Sequence, residues 1–145
     1  MTGMAKDIPS MDDPYVYNAD LIRILDGDTA RLKLWRPFKA TWDFGFYITE
    51  EINTIRSVEI SCRLHGLNAP EIHGVTGAEL KKGQASTDEL ARLLSLGTII
   101  AKTHKPDKYG RYLVELWVTD KSGKTTDVNA SLLEHGFAVP FMVDR

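Results

Sequence analysis

Three short stretches gather the side chains that can do chemistry on a phosphate ester. Asp26-Gly27-Asp28-Thr29 sets two carboxylates on either side of a glycine. Arg63 is followed shortly by Asn68, Ala69 and Glu71. Lys108-Tyr109-Gly110-Arg111 places two cations around an aromatic ring. A hard cation such as calcium takes hard oxygen ligands, of the kind Asp28, Asn68 and a loop carbonyl offer. Planar guanidinium groups, here Arg63 and Arg111, meet phosphate oxygens in forked pairs and stabilise charge developing on phosphorus. An attacking water needs a carboxylate to take its proton, and Glu71 is available. Each piece also has a plainer reading. Asp-Gly-Asp makes an ordinary turn in which Asp26 serves its own backbone. Arg63 and Arg111 serve equally as surface cations, and Glu71 as a solvated carboxylate. The full set, in this order, is more specific than any member.

The elements that must position these groups follow from patterning. The apolar run Leu21–Leu25 stops at Asp26-Gly27-Asp28, a strong hairpin signal. Ala30, Leu32 and Leu34 then alternate with Arg31 and Lys33, the period of a half-buried strand. The stretch from Pro37 to Ser57 reads as a long hairpin excursion. It carries Trp42, Phe44, Phe46 and Tyr47, for packing within the monomer or against a second subunit. Val58, Ile60, Cys62 and Leu64 share one strand face, which turns Arg63 and His65 to the other. Past Gly77, leucines at three- and four-residue spacing predict a helix, with Gly83 weakening its first turn and Gly97 placed as its C′ residue. Strands follow over Thr98–Thr103 and Arg111–Val118. A last short helix has Thr126 or Asp127 as N-cap, an apolar face of Val128, Leu132 and Leu133, and Gly136 as its stop. The order is mainly β with helices, an α+β arrangement. Five strands with a helix between the third and fourth describe a five-stranded OB-fold barrel.

Composition narrows the rest. The chain has 145 residues, which suits one domain over 15–145 behind a loose polar arm at 1–14. A net charge of −2 argues against gripping nucleic acid by bulk electrostatics. Charge is unevenly spread, though: residues 1–20 balance at −3, while Thr98–Tyr112 balance at +3. That basic strip suits an anionic ligand or, more plainly, a solvated loop. No apolar run approaches the ~20 residues of a membrane span, and the N-terminus lacks the apolar core of an export signal. The lone Cys62 excludes an internal disulfide and suits a reducing compartment such as the cytoplasm.

Four segments carry a family resemblance: LIRILDGDTARL, CRLHGLNAPEIHG, KPDKYGRYLVELWV and DVNASLLEHGFA. In this order, over roughly Asp20 to Val139, they resemble the thermonuclease (staphylococcal nuclease-like) family. The resemblance implies a staphylococcal nuclease-like OB barrel, bound Ca²⁺, and sugar-nonspecific hydrolysis of DNA and RNA leaving 3′-phosphate products. It implies that Asp28, Asn68 and the Ala69 carbonyl hold the metal, and that Glu71 orients or deprotonates water. Arg63 and Arg111 would clamp the phosphate, while Lys108 and Tyr109 flank the substrate. The expected partners are DNA and RNA, preferably single-stranded, met by a monomer. The alternative is a catalytically weak or inactive OB module that binds single-stranded nucleic acid or protein. Departures from the family pattern include the longer region Pro37–Ser57 and Asn68, where the family has a carboxylate. Calcium affinity follows the number of charged ligands. Asn68→Asp is therefore expected to tighten calcium binding in a calorimetric titration. Unchanged or weaker affinity would show that residue 68 does not face a metal.

Overall fold

Alternating apolar side chains build the wall of a barrel. In the computed structural model, which describes residues 5–106 and 108–141, strand β1 (Val16–Asp26) turns at Gly27 into β2 (Thr29–Gly45), and β3 (Ile48–Leu64) runs back along it. A two-residue strand β4 (Leu67–Asn68) precedes helix α1 (Ala78–Leu94). Next come β5 (Gly97–Pro106), β6 (Tyr112–Asp120), β7 (Thr125–Asp127), helix α2 (Val128–Glu134) and β8 (Val139–Pro140). The main sheet runs β3-β2-β1-β5-β6-β7, and a parallel pairing of β3 with β6 joins its ends. Five strands thus close into the expected OB barrel, with α1 between the third and fourth of them. Irregular register between Leu21 and Arg23 and between Ile24 and Asp26 bends β1 round the wall.

The core follows the sequence pattern closely. Ala30, Leu32 and Leu34 of β2, Cys62 and Leu64 of β3, and Val114, Leu116 and Val118 of β6 all point inward and are buried. Leu90, Leu93 and Leu94 of α1 join the same cluster, as do Val128 and Leu132 of α2. Burial pushes the Cys62 thiol up to about 12, which leaves it inert at neutral pH. Asp127 is the N-cap of α2, its carboxylate accepting the Ala130 N–H at 3.0 Å. Gly136 ends that helix with φ 76°, as a C′ glycine does.

Three features depart from the sequence expectations. The arm expected to be loose is docked over its described residues. The Trp117 indole donates to the Lys6 carbonyl at 2.9 Å, and the Lys6 N–H donates to Asp127 at 2.9 Å. Arg36 donates to the carbonyls of Met11, Asp13 and Val16. Strand β6 is accordingly buried on both faces from Leu113 to Val118, where simple alternation shows only one. Gly97 is not the stop of α1; Ser95 caps that helix. Gly97 instead opens β5 in contact with β6, where a Cβ would press into the Thr119 backbone. Gly83 is not a weak point in α1. It lies against the Glu71–Ile72 backbone, and a Cβ there would meet Ile72 Cγ2 at 2.7 Å.

Gly83 therefore gives a test of sign. Alanine in a helix interior is favoured over glycine by about 1 kcal/mol. The clash here involves backbone that cannot step aside cheaply, and overpacking of that kind costs about 1–3 kcal/mol. Gly83→Ala is expected to lower stability in urea denaturation. A stabilised variant would show that the Glu71 loop moves away freely.

Candidate functional site

The hairpin turn at Gly27 and the loop after β3 meet at the mouth of the barrel. Asp28 follows the turn, and its side chain is buried beneath that loop. Its Oδ2 accepts the Ala69 N–H at 2.8 Å and lies 3.5 Å from Arg63 Nη1. Its Oδ1 accepts the Thr29 hydroxyl at 3.0 Å. Asp26 holds the turn by accepting the Asp28 N–H at 3.1 Å, as its plain reading required. Arg63 reaches across from β3 and also donates to the Asn68 side-chain oxygen and to the Leu67 carbonyl. The Phe141 ring lies 5.6 Å from its guanidinium carbon. Burial is the main influence on Asp28, raising its carboxyl above the ordinary 3.8. The Asp26 interaction adds to that rise. The Ala69 N–H and Arg63 hold it back.

Of the sequence candidates, the structure brings Asp28, Arg63, Asn68 and Ala69 into one cluster. Glu71 is exposed, two residues beyond Ala69 on the loop that α1 supports. Arg111 and Lys108 both pack on Tyr109, at 5.4 and 5.2 Å from the ring centroid, and Tyr109 is exposed. The β3–β6 pairing matches Cys62 with Tyr112 and Arg63 with Leu113. It thereby sets the Lys108–Arg111 turn beside the Arg63 end of β3. Phe141 escaped sequence reasoning because only the β4–β8 pairing, Asn68 opposite Val139, carries it to Arg63.

A calcium ion takes about six to eight oxygens. The Asp28 and Asn68 side chains and the Ala69 carbonyl offer four, and the three side-chain oxygens already accept bonds within the protein. The Arg63 guanidinium lies between the two groups that would flank the ion. In this arrangement the residues do not fit calcium; a guanidinium takes the position instead.

A second cluster, not anticipated from sequence, gathers one residue each from β5, β6 and the position just after β3. His65 and His104 stack at 4.4 Å between ring centroids and 17° between planes. Glu115 Oε2 lies 2.7 Å from His104 Nε2, and its Oε1 accepts from Lys6 Nζ at 2.9 Å. The three ligand atoms lie within 4.8 Å of one another. Two ligands of one zinc stand only about 3.4 Å apart, with lone pairs converging. Parallel rings and the Lys6 contact make this a clasp for the N-terminal arm. Its signal was scattered over residues that look unrelated until the strands are paired.

The fold and mouth define a five-stranded OB barrel with a buried aspartate–arginine–amide cluster. The family model described as staphylococcal nuclease homologue (SNase) matches residues 61–145. The chain belongs to that family. Nothing among the curated proteins matches it. Among solved structures, the extended Tudor domain TD3 of mouse TDRD1, in complex with a MILI peptide containing dimethylarginine 45, superposes with a TM-score of 0.56. Identity is 7%, over 88% of this chain and 94% of that one. The extended Tudor domain of human TDRD1, in complex with a symmetrically dimethylated peptide, gives a TM-score of 0.34 at 18% identity, over 94% of this chain and 69% of that one. At 7% identity the mouse domain shows a shared fold.

The clasp predicts a pH dependence. The His104 bond, helped by Lys6, holds Glu115 down to about 2. Burial, then the neighbouring His104, lowers His65 from 6.5. A lowered carboxyl contributes stability above its unfolded pKa and loses it as pH falls toward the folded one. A lowered imidazole does the same below 6.5. The melting temperature is expected to be level above about pH 7, to fall as His65 charges, and to fall again between about 4.5 and 2. In Glu115→Gln the second fall is expected to shrink, the lowered Glu89 and Asp120 carboxyls carrying what remains. Circular dichroism melts across that range decide; a wild-type midpoint level from pH 7 to 3 would show that neither group is linked to folding.

Proposed function

We propose that this domain binds single-stranded nucleic acid through the Lys108–Arg111 turn, with hydrolysis weak or absent. The observation that carries the reading is the Arg63 guanidinium between Asp28 and Asn68. A dication seated there would meet a fixed positive charge and a neutral amide. The turn is suited to binding: Lys108 and Arg111 present cations to backbone phosphate, and exposed Tyr109 offers an aromatic surface to a base. Such contacts grip phosphate and are indifferent to sequence.

A second reading is calcium-dependent hydrolysis of DNA and RNA. One observation favours it: the loop bearing Glu71 is seated on α1 by two tight glycine contacts. Gly27 lies under Ala69 and Ser86, and Gly83 under Glu71 and Ile72. Such seating aims Glu71, and both arginines are retained. This reading requires Arg63 to release Asn68 before the metal enters. The mouse TDRD1 domain was solved with a dimethylarginine peptide, so such a peptide is the protein-ligand control for the shared fold.

Fluorescence anisotropy with labelled oligo(dT) and oligo(U), in chelator and across salt, tests the first reading. Both strands are expected to bind with salt-dependent affinity, and Lys108→Ala or Arg111→Ala should each shallow the salt slope by about one. Strand cleavage with calcium, in wild type and Asn68→Asp, tests the second. Wild type is expected to cleave slowly or not at all, and Asn68→Asp faster. Full turnover by wild type, matched by Asn68→Asp, would give the domain to the hydrolase reading. Failure to bind either strand, with capture of the methylated peptide, would overturn both.

A further inference from the structure

Beyond the barrel, β2 and β3 continue as a two-stranded ribbon, paired from Trp35–Ser57 out to Gly45–Ile48. Directly opposed residues share a face. One face carries Phe38, Ala40, Trp42 and Phe44 from β2. The other carries Lys39, Thr41 and Asp43, opposite Asn53, Glu51 and Thr49. Phe38, Trp42 and Phe44 are 43%, 58% and 60% exposed; Trp42 and Phe44 meet at 6.2 Å between ring centroids, and much of each ring still faces solvent. A lone two-stranded ribbon is marginal in water, and an exposed apolar face of this extent marks an interface. At its tip, Phe46 and Tyr47 both adopt positive φ, 53° and 68°, which side-chain-bearing residues other than Asn and Asp rarely do. Both rings stand fully in solvent there.

We propose that this face is the interface of a homodimer, in which two ribbons pack face to face and antiparallel about a two-fold axis. Charge placement selects the partner and its direction. On the apolar face, Glu50 lies toward the tip, opposite Trp42, and the Arg36–Arg56 pair lies at the base. A two-fold axis level with the Lys39–Asn53 pair sets Glu50 of one copy over Arg56 of the other. The same rotation sets Trp42 over Arg36, and Phe38 over Ala40, the small residue that gives it room. Each contact occurs twice, as an isologous interface demands. A parallel arrangement, with the two-fold axis along the ribbon, would instead set Arg56 of one copy over Arg36 of the other and leave Glu50 over Trp42, with no carboxylate opposite a cation. The ribbon tip of one copy then reaches the base of the other, where a cavity of about 460 Å³ opens between Tyr17, Leu34, Phe38 and Val58. Covering the exposed parts of the five aromatics removes roughly 600 Å² per copy. About 1,200 Å² for the pair is at the lower end of stable interfaces.

Sedimentation velocity from about 1 to 200 µM reads the association directly. Wild type is expected to move from the mass of one chain toward two as concentration rises. Trp42→Glu should stay monomeric, with an unchanged circular dichroism spectrum because the side chain is exposed. Glu50→Arg and Arg56→Glu should each weaken association about tenfold or more, and the double reversal should recover most of it. A wild type that stays monomeric at the highest concentration overturns the proposal and gives the face to a different partner. A dimer that the double reversal fails to recover overturns the antiparallel register.

Discussion

The mouth of this barrel depends on one buried anion. The Asp28 carboxylate sits where desolvation disfavours its charge, so it must be satisfied from several sides. The Ala69 N–H, the Thr29 hydroxyl and Arg63 do this, and each comes from a different part of the chain. The Asp28 backbone takes part too, its carbonyl accepting the Leu64 N–H at 2.8 Å. These bonds tie the β1–β2 turn to the end of β3 and to the loop beyond. The positions of Asn68, Ala69 and Glu71 are consequences of that tie. Arg63 is held in turn, and this restrains it from serving an outside phosphate while it serves Asp28.

Close approach of backbone is the second constraint. Gly27 and Gly83 have no side chain where the Ala69–Ile72 loop crosses α1. Helix, turn and loop meet there without intervening atoms, so the loop rests on a rigid support. Elsewhere, the Lys6–Glu115–His104 clasp and the Trp117 indole fold the N-terminal arm onto β6. The ribbon is the contrast. It leaves the barrel with much of its apolar face exposed among the described residues.

Family and fold answer different questions here. The SNase family match spans residues 61–145, which hold Arg63, Arg111 and three of the four motifs. The shared fold with a Tudor domain shows that the same barrel also serves as a peptide-binding scaffold in another protein. At the mouth, the Asn68 amide brings no charge and offers an acceptor that Arg63 takes up.

Much of the fold was legible because burial imposes a period on the chain. Alternation at Ala30–Leu34 and at Ile60–Leu64, and the leucines of α1, mark core faces that tertiary packing uses, whereas Val58, expected on the same face, is left exposed where β3 runs out of the barrel. The Asp-Gly turn and the Asp127 cap were legible for the same reason: their chemistry is local. Candidate site residues could be named from motif order, and Asp28, Arg63, Asn68 and Ala69 do converge. What the chain could not show along its length is where each group's partner comes from. That Arg63 takes the Asn68 oxygen, and that Phe141 covers Arg63, is decided by pairings between distant segments. Gly83 and Gly97 look alike in sequence as helix punctuation, yet each is set by backbone arriving from elsewhere. His65, His104 and Glu115 become neighbours only once β3, β5 and β6 lie side by side. Local propensity follows from each residue and its near neighbours, whereas a buried charge is satisfied by whatever the closed barrel brings to it.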